Sequence, residues 1–210
     1  MADVTQVQAL SRVLVADDEH LVATGIVQHL HTLNFDPIGP AVDGNAAIEL
    51  ARKEKPDLAL LDIKMPGMDG LDCAAALWSE LQLPCVIISA YSISDYVERA
   101  CEPGVFGYLL KPVSTDSLRA ALHVAWTRAM SQIETNGRVT QLEQTLASRR
   151  VVEQAKWRIV ETLGTTEDAA HRALQKSARS QRLRLSDVAQ RIIDTSADLW
   201  HLDIAESKAS

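Results

Sequence analysis

Five polar positions stand where short apolar runs end. Asp17 and Asp18 follow Val13–Ala16, Asp62 follows Leu58–Leu61, Ser89 follows Val86–Ile88, and Lys111 follows Val105–Leu110. Carboxylates brought together repel strongly unless a cation sits among them, and oxygen-only ligands favour Mg²⁺, which also bridges to phosphate oxygens. A lysine and a hydroxyl beside such an ion suit an anionic tetrahedral group. The set points to phosphoryl chemistry on a carboxylate. One Asp at the end of a strand is usually a turn or a cap. Five such positions in order are poorly explained that way.

The elements that must hold these residues are legible in the same stretch. Continuous apolar runs of a few residues fit strands covered on both faces, as in a parallel sheet. Between them, Val22, Ile26, Leu30 and Leu33 keep helical spacing, as do Leu118, Leu122 and Ala125. Residues 12 to about 125 therefore read as a βαβ series of five units. The second run, Phe35–Val42, is weak and carries Pro37 and Pro40. A central strand could not accept these prolines, whereas the order 2-1-3-4-5 puts that strand at the edge. In such a sheet, ligands sit outside the carboxyl ends of the strands, where all five polar positions fall.

Composition narrows the class. The chain has 210 residues, 47% apolar and 23% charged, with a formal net charge of −7. It is long enough for a real core, and neither disordered nor uniformly basic. No apolar run reaches the ~18 residues of a membrane span. The start MADVTQVQAL lacks the pattern of a secretory signal, so a soluble, cytoplasmic protein without membrane contact is expected. Cys73, Cys85 and Cys101 lack metal spacing and read as small buried hydrophobes. The six histidines form no ligand pattern.

After about residue 126 the strand signals stop. Ala129, Ile133, Val139, Leu142 and Leu146 are scattered through a polar helical spacer, a plausible coiled coil with a poor heptad that Asn136-Gly137 interrupts. Three helical patterns follow. The first carries Val152, Ala155, Ile159 and Leu163 and ends at Gly164. The second, capped by Thr165 or Thr166, carries Ala170, Ala173, Leu174, Ser177 and Ala178. The third, capped by Ser186, carries Val188, Ile192 and Leu199. Residues 149–191 hold ten basic and five acidic side chains, and cations facing phosphates gain from counterion release.

The segments VLVADDEH, LLDIKMPGMDG, VIISAYS and GYLLKP resemble bacterial two-component receiver domains over residues 11 to 128. The resemblance implies a flavodoxin-like α/β fold in which Asp62 is the phosphoacceptor, attacking the phosphohistidine of a partner histidine kinase. It implies that Asp18 and Asp62 ligate Mg²⁺, with Asp17 acting through water and Lys64 through its backbone carbonyl. Lys111 would pair with a phosphoryl oxygen, Ser89 would hydrogen-bond another, and Tyr108 would change rotamer on activation. Ala90 would leave the phosphoryl group room, and Lys111-Pro112 is often cis in the family. A phosphatase of the haloacid dehalogenase type would carry a second Asp two residues after the nucleophile, where this chain has Lys64.

The pattern from Arg149 to Ile193, with Ala155-Lys156, the Gly164 break, Ala170, Leu174, Ala178, Leu185 and Val188-Ala189, resembles the ANTAR domain. That module is an RNA-binding antiterminator often joined to receivers. The resemblance implies structured RNA hairpins as ligands, with a homodimer when active, and a phosphorylation-controlled output rather than an enzyme. The expected RNA contacts are Lys156 and the nearby basic residues Arg149, Arg150, Arg158, Arg179, Arg182 and Arg184. Trp157 and His171 depart from the family pattern. Trp157 reads as either a core residue or a platform for a base. The expected domains are a receiver over 1–128, a helical spacer over 129–147 and a three-helix bundle over 148–203. Two other outputs fit a small helical bundle: a DNA-binding helix-turn-helix, or a purely protein-interaction and dimerisation element. The basic Arg179–Leu185 turn is long for a helix-turn-helix.

Overall fold

The computed structural model describes residues 10–90, 103–196 and Trp200. The expected helix between the fourth and fifth strands, together with Cys101 and Leu199, lies outside them.

The three central apolar runs become strands buried on both faces, whereas the two edge runs are only partly covered. The elements are β1 Arg12–Ala16, α1 His20–Thr32, β2 Asp36–Ala41, α2 Gly44–Glu54, β3 Leu58–Asp62, α3 Gly70–Leu81, β4 Cys85–Ser89 and β5 Val105–Leu110. They are followed by α4 Thr115–Leu163, α5 Glu167–Gln181 and α6 Leu185–Asp194. The sheet is parallel in the order β2-β1-β3-β4-β5. Alternate residues divide between its faces. Leu14, Ala59, Leu61 and Ile87 pack with α2 and α3. Val13, Val15, Leu58, Leu60, Val86 and Ile88 pack with α1 and the start of α4.

The proline-bearing strand takes the edge that its missing donors require. It is shorter than the Phe35–Val42 run, and its pairing with β1 shifts between Leu14 and Ala16. Gly39 sits at that irregularity with φ +101, where an added Cβ would lie 2.9 Å from the Val15 carbonyl oxygen. No other residue type fits there without moving the strand.

The chain divides into two units, Met1–Glu134 and Thr135–Ser210. α4 runs through the boundary. Its 49 residues include the last receiver-type helix, the expected spacer and the first bundle helix. Asn136-Gly137 does not interrupt it, because both residues keep helical backbone. In the second unit Ala155 and Ile159 of α4 pack with Ala170, Leu174 and Ala178 of α5, with Val188, Ala189 and Ile192 of α6, and with Trp200. Thr166 caps α5, accepting from the Ala169 N–H, and Gly164 ends α4 with φ +62. The cap of α6 is Arg184 rather than Ser186, which lies inside the first turn. The α5–α6 connection is only residues 182–184, not the long Arg179–Leu185 turn expected, because α5 continues to Gln181. Among the described residues no helix is long and apolar enough to cross a membrane.

Gly137 lies in the middle of a helix with nothing within 4 Å of an added Cβ. Gly137→Ala should therefore raise stability by about 0.5–1 kcal/mol, measured by urea unfolding followed by circular dichroism. A loss of stability would mean that the helix is broken at this point.

Candidate functional site

The carboxyl ends of β1, β3, β4 and β5 bring the predicted polar residues to one edge. Lys111 Nζ lies 2.9 Å from Asp17 Oδ2 and 2.7 Å from Asp62 Oδ1. Glu19, which the sequence reading passed over, comes within 3.6 Å of the same ammonium. Its backbone N–H donates to Asp17 Oδ1 at 2.9 Å. Asp17, Asp62 and Ser89 are buried, and Asp18 is exposed at the rim.

Local structure fixes each of these groups. The Lys64 N–H donates to Asp62 Oδ2 at 2.7 Å, so the Lys64 backbone borders the site. The Lys111 N–H donates to the Ser89 carbonyl at 2.8 Å, tying the end of β5 to the end of β4, and Lys111-Pro112 is cis. Tyr108, opposite Ile87 in the ladder, is half-buried against the α2–α3 face. Below Asp62 the chain turns back so tightly that a Cβ on Gly70 would fall 2.0 Å from the Asp62 carbonyl oxygen. Asp69 caps α3 at the same turn through the N–H groups of Leu71 and Asp72. The sequence reading missed Gly70, although the Asp-Gly pair at a helix start was its visible signal.

Two buried carboxylates share one ammonium. Burial pushes the Asp62 carboxyl upward, and Asp17 adds to that, against the pull of Lys111 and the Lys64 N–H. Burial works against the charged ammonium of Lys111, yet its contacts with Asp62 and Asp17 leave it raised. Asp17 Oδ2 has the ammonium as an ion-pair neighbour but no directed hydrogen bond. Among the described residues no three His, Cys, Asp or Glu side chains are already drawn around one point. The donor set nonetheless fits a hard divalent cation: the carboxylates of Asp17 and Asp62 are buried together, with Asp18 at the rim and the Lys64 backbone beside them.

Cys73 and Cys85 are buried as expected. Burial pushes the Cys73 thiol up to about 12, with the nearby Asp43 and Asp69 adding to the shift.

The basic residues of the second unit separate into two groups. Lys156, read from the sequence as an exposed contact, has a side chain only 12% exposed. Its ammonium joins Glu153 at 2.9 Å to Glu167 at 2.8 Å, linking α4 to the start of α5. Arg158 donates to the carbonyls of Ile193 and Thr195 and lies over the Trp200 ring, fastening the end of α6. Arg149, Arg150, Arg179, Arg182 and Arg184 are exposed, Arg184 being paired with Asp187 at 2.9 Å. Arg172 and Lys176 precede Arg179 by seven and three positions and are exposed with it on α5. Trp157 is 66% exposed and is not a core residue.

Comparison with known proteins agrees with both halves. Residues 13–123 match the response regulator receiver domain, and residues 140–193 match the ANTAR domain. The chain belongs to the response regulators. The ANTAR match begins inside the segment read as a spacer. The transcriptional regulatory protein PdtaR of Mycobacterium tuberculosis H37Rv is 36% identical over 184 residues, covering 88% of this chain and 90% of the relative. The nitrate/nitrite response regulator NarL of Escherichia coli K12 is 36% identical over 120 residues, covering 56% of each chain. Among solved structures, the receiver domain of a Mycobacterium tuberculosis NarL is 41% identical with a TM-score of 0.51, covering 55% of this chain and 95% of that one. The receiver domain of a modulated diguanylate cyclase from Desulfovibrio desulfuricans G20 is 31% identical with a TM-score of 0.55, covering 59% and 99%.

In this response regulator the raised Asp62 has a stability consequence. A carboxyl raised by folding destabilises the native state wherever it is charged, and the penalty fades as pH falls through its folded range. In Mg²⁺-free buffer at neutral pH, Asp62→Asn should melt a few degrees above wild type, and the gap should close on acidification. A lower melting temperature at neutral pH would contradict the assignment.

Proposed function

We propose that Asp62 accepts a phosphoryl group from the phosphohistidine of a partner sensor kinase. The resulting state controls an ANTAR output that binds structured RNA and prevents transcription termination. The observation that carries the first step is the convergence of two buried carboxylates on the Lys111 ammonium. One Asp62 oxygen attacks phosphorus, the P–N bond breaks, and its electron pair leaves on the imidazole. Asp62 is then an acyl phosphate. Lys111, released from the carboxylate charge, holds one phosphoryl oxygen, and the Ser89 hydroxyl donates to another. Tyr108 repacks as Ser89 shifts. Asp18, Asp62 and the Lys64 carbonyl would hold Mg²⁺, with Asp17 acting through water. When bound, the ion offsets the negative charge of the carboxylates and the phosphoryl oxygens.

The active species is a homodimer. Val139, Leu142 and Leu146 form an exposed apolar stripe on α4, in steps of three and four residues. In a parallel pair, Arg138 of one copy faces Glu143 of the other, the flanking charge arrangement of a two-stranded coiled coil. The receiver over 1–128, the connecting helical segment over 129–147 and the bundle over 148–203 are the working parts.

RNA is held through Arg149, Arg150, Arg179, Arg182 and Arg184. Lys156 and Arg158 act by keeping the bundle folded. The test compares phosphorylated wild type with Asp62→Asn for binding to a structured RNA hairpin and for sedimentation. Phosphorylated wild type should bind more tightly and sediment as a dimer. Equal behaviour of the two proteins would remove the switch. Arg179→Ala should weaken binding and flatten its salt dependence without changing the melting temperature. Arg158→Ala should cost about 1–2 kcal/mol of bundle stability. Duplex DNA competing as well as the hairpin at matched salt would favour a DNA-binding output.

A further inference from the structure

The second unit contains a groove that phosphate contacts alone do not explain. Its volume is about 550 Å³, and it lies between α4, α5 and the start of α6. Val152 and Leu185 supply apolar walls, His171 a flat ring, Ser148 and Ser186 hydroxyls, Arg149 a cation and Glu153 a carboxylate. Ser148 and Ser186 also line a neighbouring groove with Gln141, Gln144, Gln190 and Arg184. An apolar slot with a ring on one wall, polar groups at its edge and a cation beside it has the chemistry of a site for one flat heteroaromatic ring attached to a phosphate.

His171 adds a second observation. Its Nε2 is 2.9 Å from the Gln175 side-chain nitrogen, which holds the ring in place. Its Nδ1 is buried without any hydrogen-bond partner. Either tautomer leaves that nitrogen unsatisfied, an uncommon state for a buried polar atom.

The charge around the groove selects the occupant. Arg149 lines it, Arg184 immediately precedes the two α6 residues that also line it, and the one acidic lining residue, Glu153, is paired with Lys156 at 2.9 Å. Bases inside a duplex do not offer their faces, whereas unpaired loop bases are splayed out, stacked on side chains such as His, and read along their edges.

We propose that this groove receives one unpaired base of the bound RNA, with Arg149 on an adjacent phosphate. This rests on the RNA-binding reading above and adds to it the place where a base, rather than the backbone, is recognised. The strand leaving the base crosses the Ser148–Ser186 saddle toward the glutamine-lined groove and Arg184.

The test uses the full-length phosphorylated protein and a library of RNA hairpins with a constant stem and a randomised loop. Wild type should prefer one base at a loop position, and an abasic nucleotide there should weaken binding about tenfold, the scale of one stacked base. Ser148→Phe, which fills the groove, should lose that preference and bind the intact and abasic hairpins alike. A Ser148→Phe protein that keeps the preference would overturn the base site while leaving RNA binding in place. A wild type that binds no hairpin would overturn both. Photocrosslinking of wild type with 4-thiouridine in the loop gives a readout independent of the variant's folding. Crosslinks should map to the peptides around Ser148, His171 or Leu185, and crosslinks confined elsewhere would overturn the proposal.

Discussion

A single ammonium between two buried carboxylates governs the receiver. Burying Asp17 and Asp62 together is costly, and the attraction of Lys111, with all three groups within hydrogen-bonding distance, offsets only part of that cost for Asp62. That distance is set by backbone rather than by side-chain reach. The parallel ladder aligns the ends of β1, β3, β4 and β5, the Lys111 N–H is fixed to the Ser89 carbonyl, and Gly70 lets the chain fold back beneath Asp62. The arrangement has a negative excess, since two carboxylates face one lysine. This is the imbalance that a divalent cation and a phosphoryl group, arriving together, would reorganise.

The output half obeys a different constraint. Its core is small and rich in alanine, so neighbouring polar contacts help set how the helices meet. Lys156 links α4 to α5, and Arg158 reaches the backbone at the end of α6. Both cations are thereby withdrawn from the surface, leaving the arginines beyond them for phosphates. The net charge of −7 describes neither half. Residues 1–125 carry 8 basic and 17 acidic side chains, and residues 126–210 carry 13 and 11.

The receiver was legible because its signals are local and reinforce each other. Pro37 and Pro40 exclude a central position for β2, the continuous apolar runs require cover on both faces, and chemistry-bearing residues follow four of the five strands. The second half was harder because its outcome depends on neighbours that the sequence does not display. Asn136-Gly137 looks like a break, yet one glycine costs a helix only about 1 kcal/mol, and the flanking residues carry α4 across it. Ser186 has the right side chain for a cap, but the turn closes two residues earlier at Arg184. Lys156 looks like a surface cation until Glu153 and Glu167 are seen on either side of it. The pairing with Glu167 links different helices, and helical periodicity alone does not reveal it.

The proposed switch depends on Asp62 as the phosphoacceptor in a site that holds Mg²⁺. The most direct measurement is intact-mass and peptide mass spectrometry after incubation with acetyl phosphate, with and without EDTA. One phosphoryl group per chain is expected, carried on the Asp62 peptide, lost on chelation and absent from Asp62→Asn. Phosphorylation of another residue, or equal incorporation in the presence of EDTA, would contradict it.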